Sequence, residues 1–467
     1  MKTKIFILFA FIVSAFLLNA EIKVASVLGD NMVLQRNSEV RLWGKANPSE
    51  KLSITTSWNN IKTNATSNEK GEWLVKVKTS EGGGPYSITI SNSKENLTLK
   101  NILLGEVWLC SGQSNMDMPI LGFNDSPINN SLEFIADAEN DNIRIFKVPN
   151  RAPDNYQGKW WVASSGTVGL FSAVGYLYAK QLQKRLKVPV GIINSSWGGT
   201  PIEAWMDSAS ISKYPEALAR KTQKDTKDIH RASNLFVKMI TPVLNFTIKG
   251  AIWYQGETNM NFDKDYADLM NGMVDGWRKK FGLGQFPFYF VEIAPYDYGH
   301  SERINAALLR ESQLKASLLI PNCCMISTMD IGVEKNIHAA EKFTISNRLS
   351  YWALSQTYGF EGIACKNTTF KSFTTQDSTI VISFDNIGRG LTTFGKEIDN
   401  VEVAGTDKVF YPAKALIVNR QLKVWSSKVP KPVAVRYAFC NFPQGKGFLY
   451  NVAGLPLPSF RTDDWDK

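Results

Sequence analysis

Gly105-Glu106-Val107-Trp108-Leu109-Cys110-Ser111-Gly112-Gln113-Ser114-Asn115-Met116 decides how the rest of the chain is read. An apolar, β-prone run stops abruptly at small and polar residues, with Gly112 two places before Ser114. This composition suits a strand entering a tight turn, which lifts Ser114 beyond the sheet edge and exposes its hydroxyl. Ser-Gly-x-Ser also occurs in ordinary loops, so the motif alone does not establish a nucleophile. Met116 stands where the second glycine of Gly-x-Ser-x-Gly would be, which disfavours an α/β-hydrolase elbow.

Upstream of this stretch, from Glu21 to about Leu103, short β runs are broken by turn residues. Val40–Trp43, Leu52–Thr55, Trp73–Val77 and Tyr86–Ile90 alternate apolar and polar residues as half-buried antiparallel strands do. Residues 21–103 are expected to form a small β-sandwich. Downstream, strands alternate with helices. Val190–Asn194, Ile248–Tyr254, Pro287–Ile293 and Met325–Met329 read as buried strands; Phe171–Lys187, Asp263–Phe281, a segment ending near Leu318, and Glu341–Tyr358 read as helices. That alternation implies a parallel sheet covered on both faces over residues 104–360, with ligands bound beyond the carboxyl ends of the strands. Short β runs return in residues 361–467, such as Ser378–Phe384 and Val433–Tyr437, so a second β-rich module is expected there.

Met1 to Ala20 carries Lys2 and Lys4 ahead of an apolar run too short to span a bilayer, the pattern of a secretory leader cleaved after Ala20. The expectation is export, to a periplasm or the extracellular space, with no membrane segment in the mature chain. The formal net charge is +10, from 53 basic and 43 acidic residues. The basic residues are dispersed, which argues against a nucleic-acid partner. Five Cys and three His, with no Cys-x-x-Cys, support neither a disulfide framework nor a zinc site. No metal or cofactor is expected, and oligomeric state is not encoded in any feature of the chain.

Four loops follow strand ends and carry groups that acyl transfer needs. The first holds Ser114. The second, Asn194-Ser195-Ser196-Trp197-Gly198-Gly199-Thr200, sets paired glycines where a backbone N–H can approach a ligand, although turn glycines look the same. The third, Trp253-Tyr254-Gln255-Gly256-Glu257-Thr258-Asn259, is crowded with amides and a carboxylate that would need partners if buried. The fourth runs from Asp330 to His338. A Ser nucleophile needs a base near neutral pH. His230 lies in a charged stretch and His300 in a Tyr- and Gly-bearing loop, whereas His338 sits between the last strand and last helix. His338 is therefore the candidate base, with a surface or capping role as the alternative.

Gly-Gln-Ser-Asn-Met at 112–116, Ser-Trp-Gly-Gly-Thr-Pro-Ile-Glu-Ala-Trp at 196–205, Trp-Tyr-Gln-Gly-Glu-Thr-Asn at 253–259, Asp-Ile-Gly…Asn-Ile-His at 330–338 and Phe-Arg-Thr-Asp-Asp-Trp at 460–465 together resemble the sialate O-acetylesterase family of SGNH (GDSL-like) hydrolases. The likeness runs from Asp30 to Trp465. It implies a flavodoxin-like α/β/α catalytic domain flanked by β-sandwich modules, and hydrolysis of acetyl esters on sugars. It also implies Ser114 as nucleophile, His338 as base, and oxyanion donors from the Ser114 N–H, Gly198 or Gly199, and the Gln255 side chain, with Asn259 in reserve. Lys335 stands where the superfamily places an Asp, and Ala339 where Pro often follows the His. Asp330, Glu334 or a backbone carbonyl would then orient His338.

The substrate expected from this resemblance is acetylated sialic acid, with acetylated xylan or another plant glycan as the alternative. A non-catalytic carbohydrate-binding protein, stacking sugars on Trp160, Trp161, Trp197 or Trp205, is the reading from another class. Because sialate carries a carboxylate, a planar Arg fork is the natural clamp. Arg310, early in the helix that precedes Leu318, is the candidate, with a structural ion pair to Glu311 or Glu257 as its alternative.

Overall fold

One strand joins two halves of the molecule. β1 (Asn96–Gly112) is 17 residues long, and the computed structural model, which describes residues 21–150, 157–222 and 227–465, shows it unbroken. Its first half pairs antiparallel with Gly83–Ser91 and parallel with Val33–Gln35, inside the N-terminal β module. Its second half is the centre of the α/β sheet. The boundary read at residues 103 and 104 thus falls within a continuous strand, with no linker. The leader expected at residues 1–20 lies outside the described residues.

The remaining strands of the central sheet are β2 (Asn140–Lys147), β3 (Trp160–Ala163), β4 (Val190–Ser196), β5 (Gly250–Tyr254), β6 (Phe288–Val291) and β7 (Cys323–Ile326). They lie in the order β3-β2-β4-β1-β5-β6-β7, all parallel except β3. Setting aside the β2–β3 pair, the order is 2-1-3-4-5, as in a flavodoxin-like sheet. That pair had no counterpart in the sequence reading, because Asn140, Asp141, Asn142 and Arg144 interrupt its apolar pattern. β7 ends at Ile326, earlier than expected. Glu292 turns the chain there by accepting from the Ser327 hydroxyl at 2.6 Å and the Thr328 N–H at 2.7 Å.

Side chains alternate across the sheet, as strand geometry requires. Val107, Leu109, Ile193, Trp253 and Phe288 enter one core, with α2 (Asp263–Phe281) and α3 (Asn305–Leu319). Trp108, Cys110, Ile192, Tyr254 and Tyr289 enter the other, with α1 (Ala173–Leu186) and α4 (Lys342–Trp352). The first core continues into the N-terminal module through Val33, Leu42, Ile54 and Ile88. Beyond residue 368, two four-stranded sheets close over a third core that includes Ile380, Val403, Leu422 and Tyr437. All five cysteines are unpaired. Among the described residues no helix is long and apolar enough to cross a membrane.

Candidate active site

Register brings the loops together. Gly112 of β1 lies level with Ser196 of β4 and Tyr254 of β5, and Tyr254 with Val291 of β6. The loops carrying Ser114, Gly198–Gly199 and Gln255–Asn259 therefore leave the sheet side by side. Gly112 makes the turn possible: its φ is +138°, and a Cβ there would lie 2.1 Å from the Tyr254 carbonyl oxygen. The Gln113 N–H donates to the same carbonyl at 2.9 Å, and the Gln113 side chain accepts from the Gly256 N–H at 3.3 Å. Ser114 then opens a single helical turn, Ser114–Asp117.

Among the described residues, neither the Ser114 hydroxyl nor the backbone N–H groups of Ser114, Gly198 and Gly199 have a hydrogen-bond partner. Gly198 is pressed against Ser114, since a Cβ built on it would meet the Ser114 Cβ at 3.3 Å. The carbonyl of Gly199 accepts from His230 Nε2 at 2.7 Å, so His230 braces this turn from its charged stretch.

His338 lies in the loop between β7 and α4. Its N–H donates to Asn336 Oδ1 at 2.9 Å, and its ring meets Phe123 edge-on at 5.0 Å between centroids. The two loops are joined one residue away from each candidate: Asn115 Nδ2 donates to the Ile337 carbonyl at 3.1 Å. The Ser114 hydroxyl and the imidazole are not hydrogen-bonded to each other here; in substrate-free sites such contacts are commonly long. Burial, and then the nearby Lys342 ammonium, hold His338 below the usual imidazole range, while Asp125 pulls weakly the other way. A depressed value keeps the ring neutral, the form a general base needs.

Several sequence expectations need correction. Asp330 does not orient His338; both its oxygens are bound by Arg348, at 2.8 and 2.7 Å. Glu334 accepts instead from Ser301 at 2.8 Å and Gln444 at 2.9 Å. Lys335, in the position where an acid was sought, pairs with Asp297. Gln255 is fully buried, and both its N–H groups are committed, to the Thr200 carbonyl at 3.0 Å and Asn259 Oδ1 at 2.8 Å. Its oxygen accepts from the Tyr266 hydroxyl at 2.9 Å, so it is a brace between loops rather than an oxyanion donor. Asn259 is buried too and donates to Glu203 at 2.9 Å. Arg310 is 1% exposed and reaches the C-terminal module, donating to the Cys440 carbonyl at 2.5 Å and to Ser459 at 3.4 Å. It clamps no ligand at the sheet edge, and Glu311 pairs with Arg461 instead. Trp160 and Trp205 are core residues, and Trp161 is exposed on the β3 edge strand.

What the sequence reading missed lies close to the candidates. A cavity of about 540 Å³ is lined by Trp197, Asn150, Lys227, Asp228 and Lys238, beside the Gly198 turn. Lys238 pairs with Asp228 at 2.5 Å, whereas the Lys227 ammonium has no partner among the described residues. Asn115 stood in a quoted motif without a role, Glu257 only as a possible ion-pair partner of Arg310, and Lys342 stood four residues after His338. The crowding of amides and a carboxylate at 253–259 was a signal for Glu257; Lys342 carried none, since a helix lysine reads as solvated. Among the described residues no group of three or more His, Cys, Asp or Glu could hold a metal ion.

The carbohydrate-esterase family described as sialic acid-specific acetylesterase matches residues 104–349. The sialate O-acetylesterase of Rattus norvegicus is 29% identical, over 75% of this chain and 75% of its own length. That of Homo sapiens is 29% identical, over 75% of this chain and 72% of its own. The crystal structure of a carbohydrate acetylesterase from Xanthomonas citri superposes with a TM-score of 0.85 at 32% identity, covering 95% of this chain and all of the other. The chain belongs to the sialic acid-specific acetylesterase family of carbohydrate esterases and is a carboxylic ester hydrolase of sugar O-acetyl groups.

Proposed function

We propose that this enzyme removes acetyl groups from acetylated sialic acid through an acetyl-enzyme on Ser114, with His338 as general base. The observation that carries the reading is a cluster of groups at the carboxyl edge without partners among the described residues: the Ser114 hydroxyl, its own N–H, and the N–H groups of Gly198 and Gly199. Ser114 Oγ attacks the acetyl carbonyl as His338 takes its proton. The oxygen that becomes negative is received by the Ser114 and Gly198 N–H groups, each such donor contributing about 3–4 kcal/mol to the barrier reduction. Collapse breaks the ester bond, and His338 returns the proton to the departing sugar oxygen. Water, deprotonated by His338, then attacks the acetyl-enzyme and releases acetate.

The preference for sialate is supported by Lys227, a cation that has no partner among the described residues and lines the cavity beside Trp197. The ring offers a face to the sugar, and the ammonium a partner for its carboxylate. The test compares purified protein on acetylated sialic acid and on acetylxylan. Faster turnover of the sialate, with KM raised for that substrate alone in Lys227→Gln, is the expected result. Preference for acetylxylan would overturn the sialate assignment and leave the ester chemistry standing.

A further inference from the structure

Beneath the two candidate catalytic loops lies a buried charged cluster that the proposed mechanism leaves unused. Lys342, in the first turn of α4, is fully buried and donates from Nζ to Asn115 Oδ1 at 2.6 Å. Asn115, itself 1% exposed, donates from Nδ2 to Glu257 Oε1 at 2.6 Å and to the Ile337 carbonyl at 3.1 Å. The Lys342 ammonium also lies 5.5 Å from the centre of the Tyr254 ring. Three loops are thereby tied at one amide: the turn after Ser114, the β5 loop through Glu257, and the peptide before His338. An ammonium at a helix N-terminus is opposed by the helix dipole, so neither packing nor helix formation selects Lys at this position.

We infer that Lys342 is a positioning residue for catalysis: through Asn115 it locks the Ser114 turn to the His338 loop and sets a cationic side chain near the His338 imidazole. The inference rests on the roles proposed above for Ser114 and His338. The groups facing His338 are Lys342 from α4, and Asp125 with Phe123 from the segment after the Ser114 turn. Those facing Lys342 are Asn115, Glu257 and Tyr254. Glu341 is turned away, towards Asn129 and Thr344. Burial pushes Lys342 down to about 7, against the pull of Glu257. On acidification Lys342 takes up a proton first, and its new charge then resists protonation of His338. Active enzyme would persist to lower pH than an isolated imidazole allows.

The test is an NMR titration of the histidine ring protons. The chain has only three His, and loss of one signal in His338→Gln assigns the relevant one. In the wild-type protein, the His338 midpoint is expected below the ordinary value of about 6.5. Lys342→Gln keeps a donor for Asn115 while removing the charge; it should raise the midpoint by about half a pH unit or more, and move the acid limb of kcat/KM with it. A merely structural lysine would alter Tm and leave both midpoints in place. A wild-type midpoint at or above the ordinary value overturns the inference even if no Lys342 variant folds, as does an unchanged midpoint in folded Lys342→Gln. Failure of the underlying roles shows separately, as retained turnover in His338→Gln.

Discussion

Gly198 and Gly199 are neighbours with opposite tolerances, and exchanging each for alanine separates catalysis from stability. A Cβ on Gly198 would lie 3.3 Å from Ser114 Cβ, 3.6 Å from its Cα and 3.8 Å from its N. Carbon atoms prefer separations of about 3.5–4.0 Å, so Ser114 must yield by a few tenths of an ångström. A nucleophile needs placement within about 0.5 Å, and errors approaching that size are expected to lower kcat roughly tenfold to a hundredfold. Because the contact is relieved at an edge turn, stability should change by no more than about 0.5 kcal/mol. Gly199 presents the reverse case. Nothing lies within 4 Å of its Cβ position, but its φ of +70° is left-handed. Alanine there should cost about 1–2 kcal/mol of stability, a fall in Tm of roughly 2–4 °C, with a smaller effect on kcat. The assay is turnover of p-nitrophenyl acetate alongside thermal unfolding of both variants. Wild-type turnover in Gly198→Ala would refute the placement of Ser114 against this turn. A dead Gly199→Ala beside an active Gly198→Ala would move the oxyanion donor one residue along.

Gln255→Ala should destabilise the protein by about 1–3 kcal/mol, because it strips partners from Thr200, Asn259 and Tyr266, while kcat of the folded fraction stays within a few fold; a large loss of kcat at unchanged Tm would return the amide to the oxyanion site. Arg310→Met should lower Tm by loosening the seam to Cys440 and Ser459, and should reduce activity on acetylated sialic acid and p-nitrophenyl acetate equally; a loss confined to the sialate would revive the clamp. Asp330→Asn should likewise lower Tm, since it leaves the half of the Arg348 fork that it faces without its anionic partner, and it should leave the acid limb of the kcat/KM profile in place; a displaced limb would mean that Asp330 acts on His338 after all.

The sheet and the Ser114 turn were legible because their signals are local. Apolar strand runs, Gly112 and the small residues after Cys110 each specify backbone directly, and the helices over 173–186 and 263–281 announce themselves by spacing. The partners of polar side chains were not legible. Asp330 reads as available to His338, but Arg348, 18 residues on, holds both its oxygens. Gln255 and Arg310 read as donors facing a ligand because sequence shows donors without showing burial; both face inward, onto partners brought by other elements. Lys342 is the same problem in reverse. A lysine in a helix reads as solvated surface, and only the convergence of Asn115, Glu257 and the His338 loop reveals that it is buried.

The proposed route is covalent, with the acetyl group passing through Ser114. Mixing the purified enzyme with an acetyl ester, quenching in acid during the first turnover and mapping the peptides by mass spectrometry reads that step directly. One added acetyl group is expected on the peptide containing Ser114, absent from Ser114→Ala, which should fold normally and show no turnover. Acetyl on another residue, or steady turnover by Ser114→Ala, would contradict it.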